Sequence, residues 1–261
     1  MAEGDIRVES ETAGKQILSK DQLILPEKQI PQEVLDVLQR AEKAGIRTFE
    51  PYHLSGITLT EDSKVKGWDK KPRGAYWEEI REGNLSKDSS KLPNAWVLVD
   101  KTKRPDYYDG QQLHDKDPFG PLLKKLREEN KIKYEFNNAC KKPVPDTSRF
   151  AISQIELREY VFPEIAKMLE VNESQVRLPR AIEFNVIGNF SHPEWGKPFT
   201  REWLDDDYRI EGVNPGCIRL VGGMRTNNNI NGLVNVDIGH SHSLHNDEIA
   251  FRPLVVIPVK A

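Results

Sequence analysis

Half of the six histidines in this chain, His240, His242 and His245, lie close together, with Glu248 just behind them. Imidazoles and a carboxylate at such spacing are the raw material of a transition-metal site, and on a strand residues i and i+2 share one face, as ligands to one ion must. The surrounding stretch, "RTNNNINGLVNVDIGHSHSLHND" from Arg225 to Asp247, is also crowded with Asn, Ser and Asp. Short polar side chains of this kind offer donors and acceptors at small ordering cost. Three readings follow: a metal centre, a solvated polar loop, and a surface that binds a ligand. Leu233, Val234, Val236, Ile238 and Leu244 are interleaved with the polar residues and tie the stretch to a core, which favours the surface over the loop. A cupin-like metal barrel needs many alternating strands, and helical patterns elsewhere oppose it.

Other chemistry is sparse. "WLDDDYR" offers Asp205, Asp206 and Asp207, either as calcium ligands or, more simply, as a solvated turn. There is no GxSxG, P-loop, GxGxxG or CxxC pattern. A net charge of -3 over 261 residues argues against nucleic acid as a partner, because phosphate binding needs clustered Lys and Arg. No apolar run reaches the length of about 20 residues that a membrane span requires. The acidic, polar start "MAEGDIRVESETAGK" is no secretory signal, so the expected location is the cytoplasm or a virion. Cys140 and Cys217 are too few for a disulfide framework and read as separate thiols.

These residues must be positioned by something. Residues 1 to 20 read as a flexible leader and 21 to 90 as a helical and irregular segment packed on a main domain of residues 91 to 261. "IPQEVLDVLQRAEKAG" predicts a helix that starts near Pro31 and ends at Gly45, with Val34, Leu35, Val37, Leu38 and Ala41 on its apolar face. Residues 46 to 95 read as irregular but packed, because Trp68 and Trp77 have little use in a linker. "AWVLVD" predicts a strand, and "DPFGPLLKKLREENKI" a short amphipathic helix. "SQIELREYVFPEIAKMLEV" predicts a capped helix, with Ser153 and Glu156 at capping-box spacing, divided at Pro163. A further helix in "RLPRAIEFNVIG" and strands in "CIRLVGG" and "IAFRPLVVIPV" complete an α+β pattern.

Four short motifs in the last third occur in a telling order. "RLPRAIEF" (177–184) resembles the RLPTEAEWE helix of the formylglycine-generating-enzyme family, and "FTREWLDD" (199–206) its NVWEWTSD segment. "IRLVGG" (218–223) resembles its RVLRGGSW strand, and "IAFRPL" (249–254) its closing IGFR strand. The resemblance implies a C-type-lectin-like fold with few short strands and long loops, in which the first and last strands of the domain pair. Glu183 and Arg252 would then be charged residues that hold the frame together. The family's reactive cysteines belong after the double glycine, and residues 224 to 248 contain none. The resemblance therefore implies a binding protein and not an oxidase.

The chain also resembles the variable proteins diversified by retroelements in phages, bacteria and archaeal viruses, which place a mutable block between GG and the final FR strand. In those systems AAY codons become NNY codons, which cannot encode Lys, Glu, Gln, Met or Trp. None of the five occurs from Arg225 to Asp247, while Asn remains abundant. This kinship implies a non-enzymatic protein with a hypervariable region at about 224–248. Its ligand would be a protein or a glycan on a host or target surface, with room for an oligomer and no metal or cofactor. The expected ligand-binding residues are Arg225, Thr226, Asn227, Asn228, Asn229, Asn231, Asn235, Asp237, His240, His242, Leu244, His245, Asn246 and Asp247. Gly222 and Gly223 would turn the backbone into the block. The alternative is a metal-dependent enzyme that uses His240, His242 and His245.

Overall fold

A computed structural model describes residues 17–26, 29–102, 117–133, 144–196, 200–208, 218–224, 236–241 and 243–259; for 200, 207–208, 218–224 and 236–241 the backbone alone is described. Cys140 and Cys217 lie outside these residues.

After a single helical turn, α1 (Lys20–Leu23), the chain enters a two-residue strand, β1 (Ile24–Leu25). Helix α2 (Gln32–Lys43) follows Pro31, as expected, and buries Val34, Val37 and Ala41; Leu35 faces outward. It ends in a Schellman motif. Gly45, at φ +84°, donates to the Glu42 carbonyl, and Ile46 donates to that of Ala41.

The stretch read as irregular holds two regular elements, β2 (Phe49–Ser55) and α3 (Gly74–Glu82). Pro51 disguises β2, since proline removes a ladder donor. β1 pairs only with His53 and Leu54, so Pro51 stands where the outer side of β2 has no ladder to lose. Trp68 and Trp77 are buried as anticipated.

β3 (Asn94–Asp100) pairs with β2 along its whole length. Helix α4 (Gly120–Glu128) comes next. The capped segment then opens as α5 (Gln154–Glu156), passes through a π-helical turn (Leu157–Val161), and continues as α6 (Phe162–Leu169). The wide turn precedes Pro163 and accommodates its missing N–H and bulky ring, so the helix bends without stopping. β4 (Val176–Arg177), α7 (Ala181–Phe190), β5 (Thr200–Tyr208), β6 (Ile218–Met224), β7 (Val236–Ser241), β8 (Ile249–Ala250) and β9 (Leu254–Pro258) complete the chain.

The strands form an antiparallel sheet ordered β1-β2-β3-β9-β4 and a smaller sheet ordered β7-β6-β5-β8. The fold is α+β. In the larger sheet β3 pairs with β9 from Ala95↔Pro258 to Val99↔Leu254, joining the two apolar segments expected to meet. One face, with Phe49, Trp96, Leu98 and Val255, packs on Val37, Leu123, Phe162 and Ile165. The other, with Tyr52, Leu54, Val97 and Leu254, packs on Trp77, Ile182 and Val186. Covering on both faces explains why "AWVLVD" is a continuous apolar run and does not alternate. β1 and β2, from the segment 21–90, pair in one sheet with β3 and β9 of the segment 91–261. Among the described residues, no helix is long and apolar enough to cross a membrane.

Candidate ligand-binding face

The Asn- and His-rich block joins two neighbours of the smaller sheet. β6 leads into it and β7 returns antiparallel, with Gly222 opposite Val236, Val221 opposite Asp237 and Arg219 opposite His240. A register shift between Arg219 and Val221 marks a bulge, a device that re-aims an edge strand. β7 ends the strand order, so the block hangs on an edge hairpin. Gly222 and Gly223 do not form the expected turn. They lie inside β6, opposite Glu202 and Arg201, and the strand runs on to Met224.

The structure divides the expected binding residues into three groups. Arg225, Thr226, Asn227, Asn228, Asn229, Asn231, Asn235 and His242 lie outside the described residues. Asp237 and His240 are on β7. The last four, expected as ligand-binding residues, lie in a segment that packs on the core. Leu244 packs against the main core. His245 and Asp247 are buried. Asn246 forms a turn: its side-chain oxygen accepts from the Glu248 N–H at 2.7 Å, and its carbonyl accepts from Ala151 and Ile249. Pairing with Glu156 and close apolar neighbours draw this segment inward, and its polar composition concealed that.

His245 Nε2 lies 2.7 Å from Glu156 Oε2. The same carboxylate closes the capping box by accepting from the N–H and hydroxyl of Ser153, both at 2.9 Å, and from the Lys133 N–H at 2.8 Å. Burial alone would raise the Glu156 carboxyl, but these hydrogen bonds, led by that of His245, hold it below its ordinary value. As an ionised carboxylate can only accept, Nε2 carries the proton that His245 donates. Among the described residues, no group of three His, Cys, Asp or Glu gathers as metal ligands would.

Behind the hairpin stands a buried ionic frame. Arg252, fully buried, donates to Glu202 of β5 at 2.9 and 3.3 Å and to the carbonyls of Asp100 and Thr102. Its guanidinium lies 4.2 Å from the Trp195 ring centroid. Arg149 grips Asp117 with two bonds of 2.6 and 2.7 Å and pairs with Asp100. Burial would push the Asp100 carboxyl up, yet Arg149 and Arg252 hold it well below the usual carboxylate range. Arg252 was expected in this role. Arg149 carries no local sequence signal of this role, because its partners Asp117 and Asp100 lie 32 and 49 residues away.

Glu183, the other expected frame residue, is also fully buried. It accepts two bonds of 2.7 Å from Arg177 and a bond from the Arg180 N–H at the start of α7. Burial opposes its charge, but the Arg177 guanidinium brings its pKa down to about 2. The three aspartates expected in a turn lie on β5, where neighbours point to opposite faces. Asp205 pairs with Arg158 at 2.7 Å, while Asp206 accepts from the Ala181 N–H at 2.6 Å and caps α7. Asp207 is opposite Arg219. Asp205 and Asp206 therefore do not converge on one ion. Asp206 is buried, and burial raises its pKa to about 6.

A polar cleft of about 370 Å³ opens at the root of the block, where His245 and Ser243 meet the end of α4 and the π-helical turn. A second titratable cluster joins β2 to the turn after α7. There His192 is held between Glu50 and Glu194 at 2.9 and 3.0 Å and stacks on Trp195. The two carboxylates sit on opposite ring nitrogens, so this arrangement clamps the imidazole and does not chelate.

No protein-family model matches the chain, and no curated protein does. Among solved structures the chain is similar to CarF, with 13% identity over 65% of this chain and 88% of that one. The TM-score of 0.41 is too low to establish a shared fold.

Proposed function

We propose that the protein is a non-enzymatic, ligand-binding variable protein with a C-type-lectin-like frame, diversified by a retroelement. Its recognition face is the β6–β7 hairpin with its connection, residues 225–241. The observation that supports this most is the contrast between hairpin and support. The block hangs on an edge strand, and the elements beneath it are fixed by Arg252–Glu202, Arg177–Glu183 and Glu156–His245. A buried charge held by several partners resists displacement, because removing one partner strands the other. Such a support keeps its backbone while side chains above it change. Asn, Thr and Asp then supply adaptable hydrogen bonds, much as antibody loops do. The pairing of β3 with β9 is the closure that the lectin-like resemblance implies. Residues 243–247 belong to the support in this reading, and the ligand is a protein or a glycan on a target surface.

The test is a display library in which codons 227, 228, 229, 231 and 235 are replaced by NNY and selected against unrelated protein targets. Folded, target-specific binders are expected. A library whose members mostly fail to fold, or that yields no binder to any target, overturns the reading. At the DNA level the reading requires an adenine-marked template repeat of the block beside a reverse transcriptase gene.

A further inference from the structure

The cleft beside His245 is lined by residues outside β6 and β7, and its chemistry is specific. At about 370 Å³ it lies at the small end of the range of roughly 300–1,000 Å³ that holds small ligands, so a single compact molecule suits it better than a chain. Its charges balance: Lys131 and Lys133 contribute two positive groups, and Glu156 and Glu159 two negative ones. A phosphate or a polyamine would meet as much repulsion as attraction there.

The groups differ in what they can still do. Glu156 is saturated by Ser153, Lys133 and His245 and acts as wall. Lys131 is partly engaged, with its ammonium 2.8 Å from Glu129. Glu159, the Tyr160 hydroxyl and the Asn130 side chain make no hydrogen bond or ion pair among the described residues. The Tyr160 ring is half-buried against the core and lines the cleft. Asn130 is held at φ +55° where α4 ends, which fixes its backbone at the rim. The cleft thus offers an anionic acceptor, an amphoteric hydroxyl, an amide that both donates and accepts, and an aromatic edge, without net charge.

A neutral molecule rich in hydroxyl groups satisfies all four at once, because each hydroxyl donates and accepts. We infer that this cleft binds one sugar residue of a glycan, at a site formed by α4, the π-helical turn and the anchor of the block. The inference rests on the ligand-binding reading and adds the chemical class of a second contact. Sugar held at the root would place the rest of a glycan alongside the hairpin.

Saturation-transfer NMR on the full chain tests this, with the methyl glycosides of glucose, galactose, mannose and N-acetylglucosamine as probes and glycine and acetate as zwitterion and anion controls. At least one glycoside should receive saturation and the controls none. Glu159→Gln and Tyr160→Phe keep size and packing, and each should weaken binding about tenfold, as expected for losing a hydrogen bond to a charged or hydroxyl group. Lys43→Ala, exposed on α2, should leave it unchanged. No transfer to any glycoside, transfer to glycine or acetate instead, or equal transfer in both cleft variants overturns the sugar site. The library selection above uses protein targets and leaves the cleft residues untouched, so either result can fail without the other.

Discussion

His245 donates to Glu156 across a buried gap of 2.7 Å, and this one bond ties the end of the Asn- and His-rich block to the N-terminal cap of the helix that covers the main sheet. His245 is therefore a structural residue. His245→Ala should lower stability by about 1–3 kcal/mol, the cost of leaving a buried acceptor short of a partner. Asn227→Ala, on the ligand-surface reading, should stay within about ±0.5 kcal/mol. Chemical denaturation of the two variants side by side checks the pair, and equal losses would remove the distinction between anchor and face.

The ionic frame makes a larger demand. Arg252→Ala takes the buried guanidinium away from Glu202, and Glu183→Ala takes the paired carboxylate away from Arg177 and removes a cap from α7. Each should cost about 3–5 kcal/mol, the range for breaking a buried pair on one side. In a mutational scan read by abundance, both positions should be intolerant while 225–235 accept most residues. Equal tolerance in the two sets would contradict a rigid support under a variable face.

Two buried carboxylates give opposite pH dependences. Glu183 is held at about 2 in the folded state against an ordinary 4.5, so its contribution is complete above pH 4.5 and is lost as pH falls towards 2. Asp206 is raised from 3.8 to about 6, so the folded state holds the extra proton between those values and stability falls as pH rises through that window. At about 1.4 kcal/mol per pKa unit, each effect is worth roughly 3 kcal/mol. Asp206→Asn should gain about that much on wild type between pH 4 and pH 7, and Glu183→Gln should flatten the acid limb below pH 4.5. Denaturant midpoints measured across pH 2–8 decide the signs.

Protein purified without added metal should contain no stoichiometric zinc, copper or iron, as the binding reading requires of the block. Elemental analysis measures it. One equivalent of a transition metal, lost in a His240→Ala/His242→Ala double variant, would instead favour the metal-dependent enzyme.

Much of the frame was legible before any coordinates. Pro31 and Gly45 bracket α2, Ser153 and Glu156 make their capping box, and the apolar runs at 95–100 and 254–258 meet in the sheet, because caps and continuous hydrophobic runs are local signals. β2 was hidden by Pro51, whose tolerance depends on a neighbouring strand too short to reach it. Asp205 and Asp206 read as part of a turn because three consecutive aspartates suggest solvent; instead one caps α7 and the other pairs with Arg158. His245 and Asp247 looked like members of the polar block, and their burial depends on residues distant in sequence, such as Glu156. Such partners leave no trace in local composition.

β9 lies between β3 and β4 inside the larger sheet, although it is built from residues far along the chain. During synthesis β3 emerges early and must wait, with one edge unpaired, until residues 254–258 leave the ribosome. The block is translated inside that interval, before the sheet can close. A message that stops or shifts frame within 225–247 therefore yields a sheet that ends at β3, and not a slightly shorter binder. Misread blocks are discarded with the whole molecule, and substitutions that keep the frame are the changes that reach a folded product.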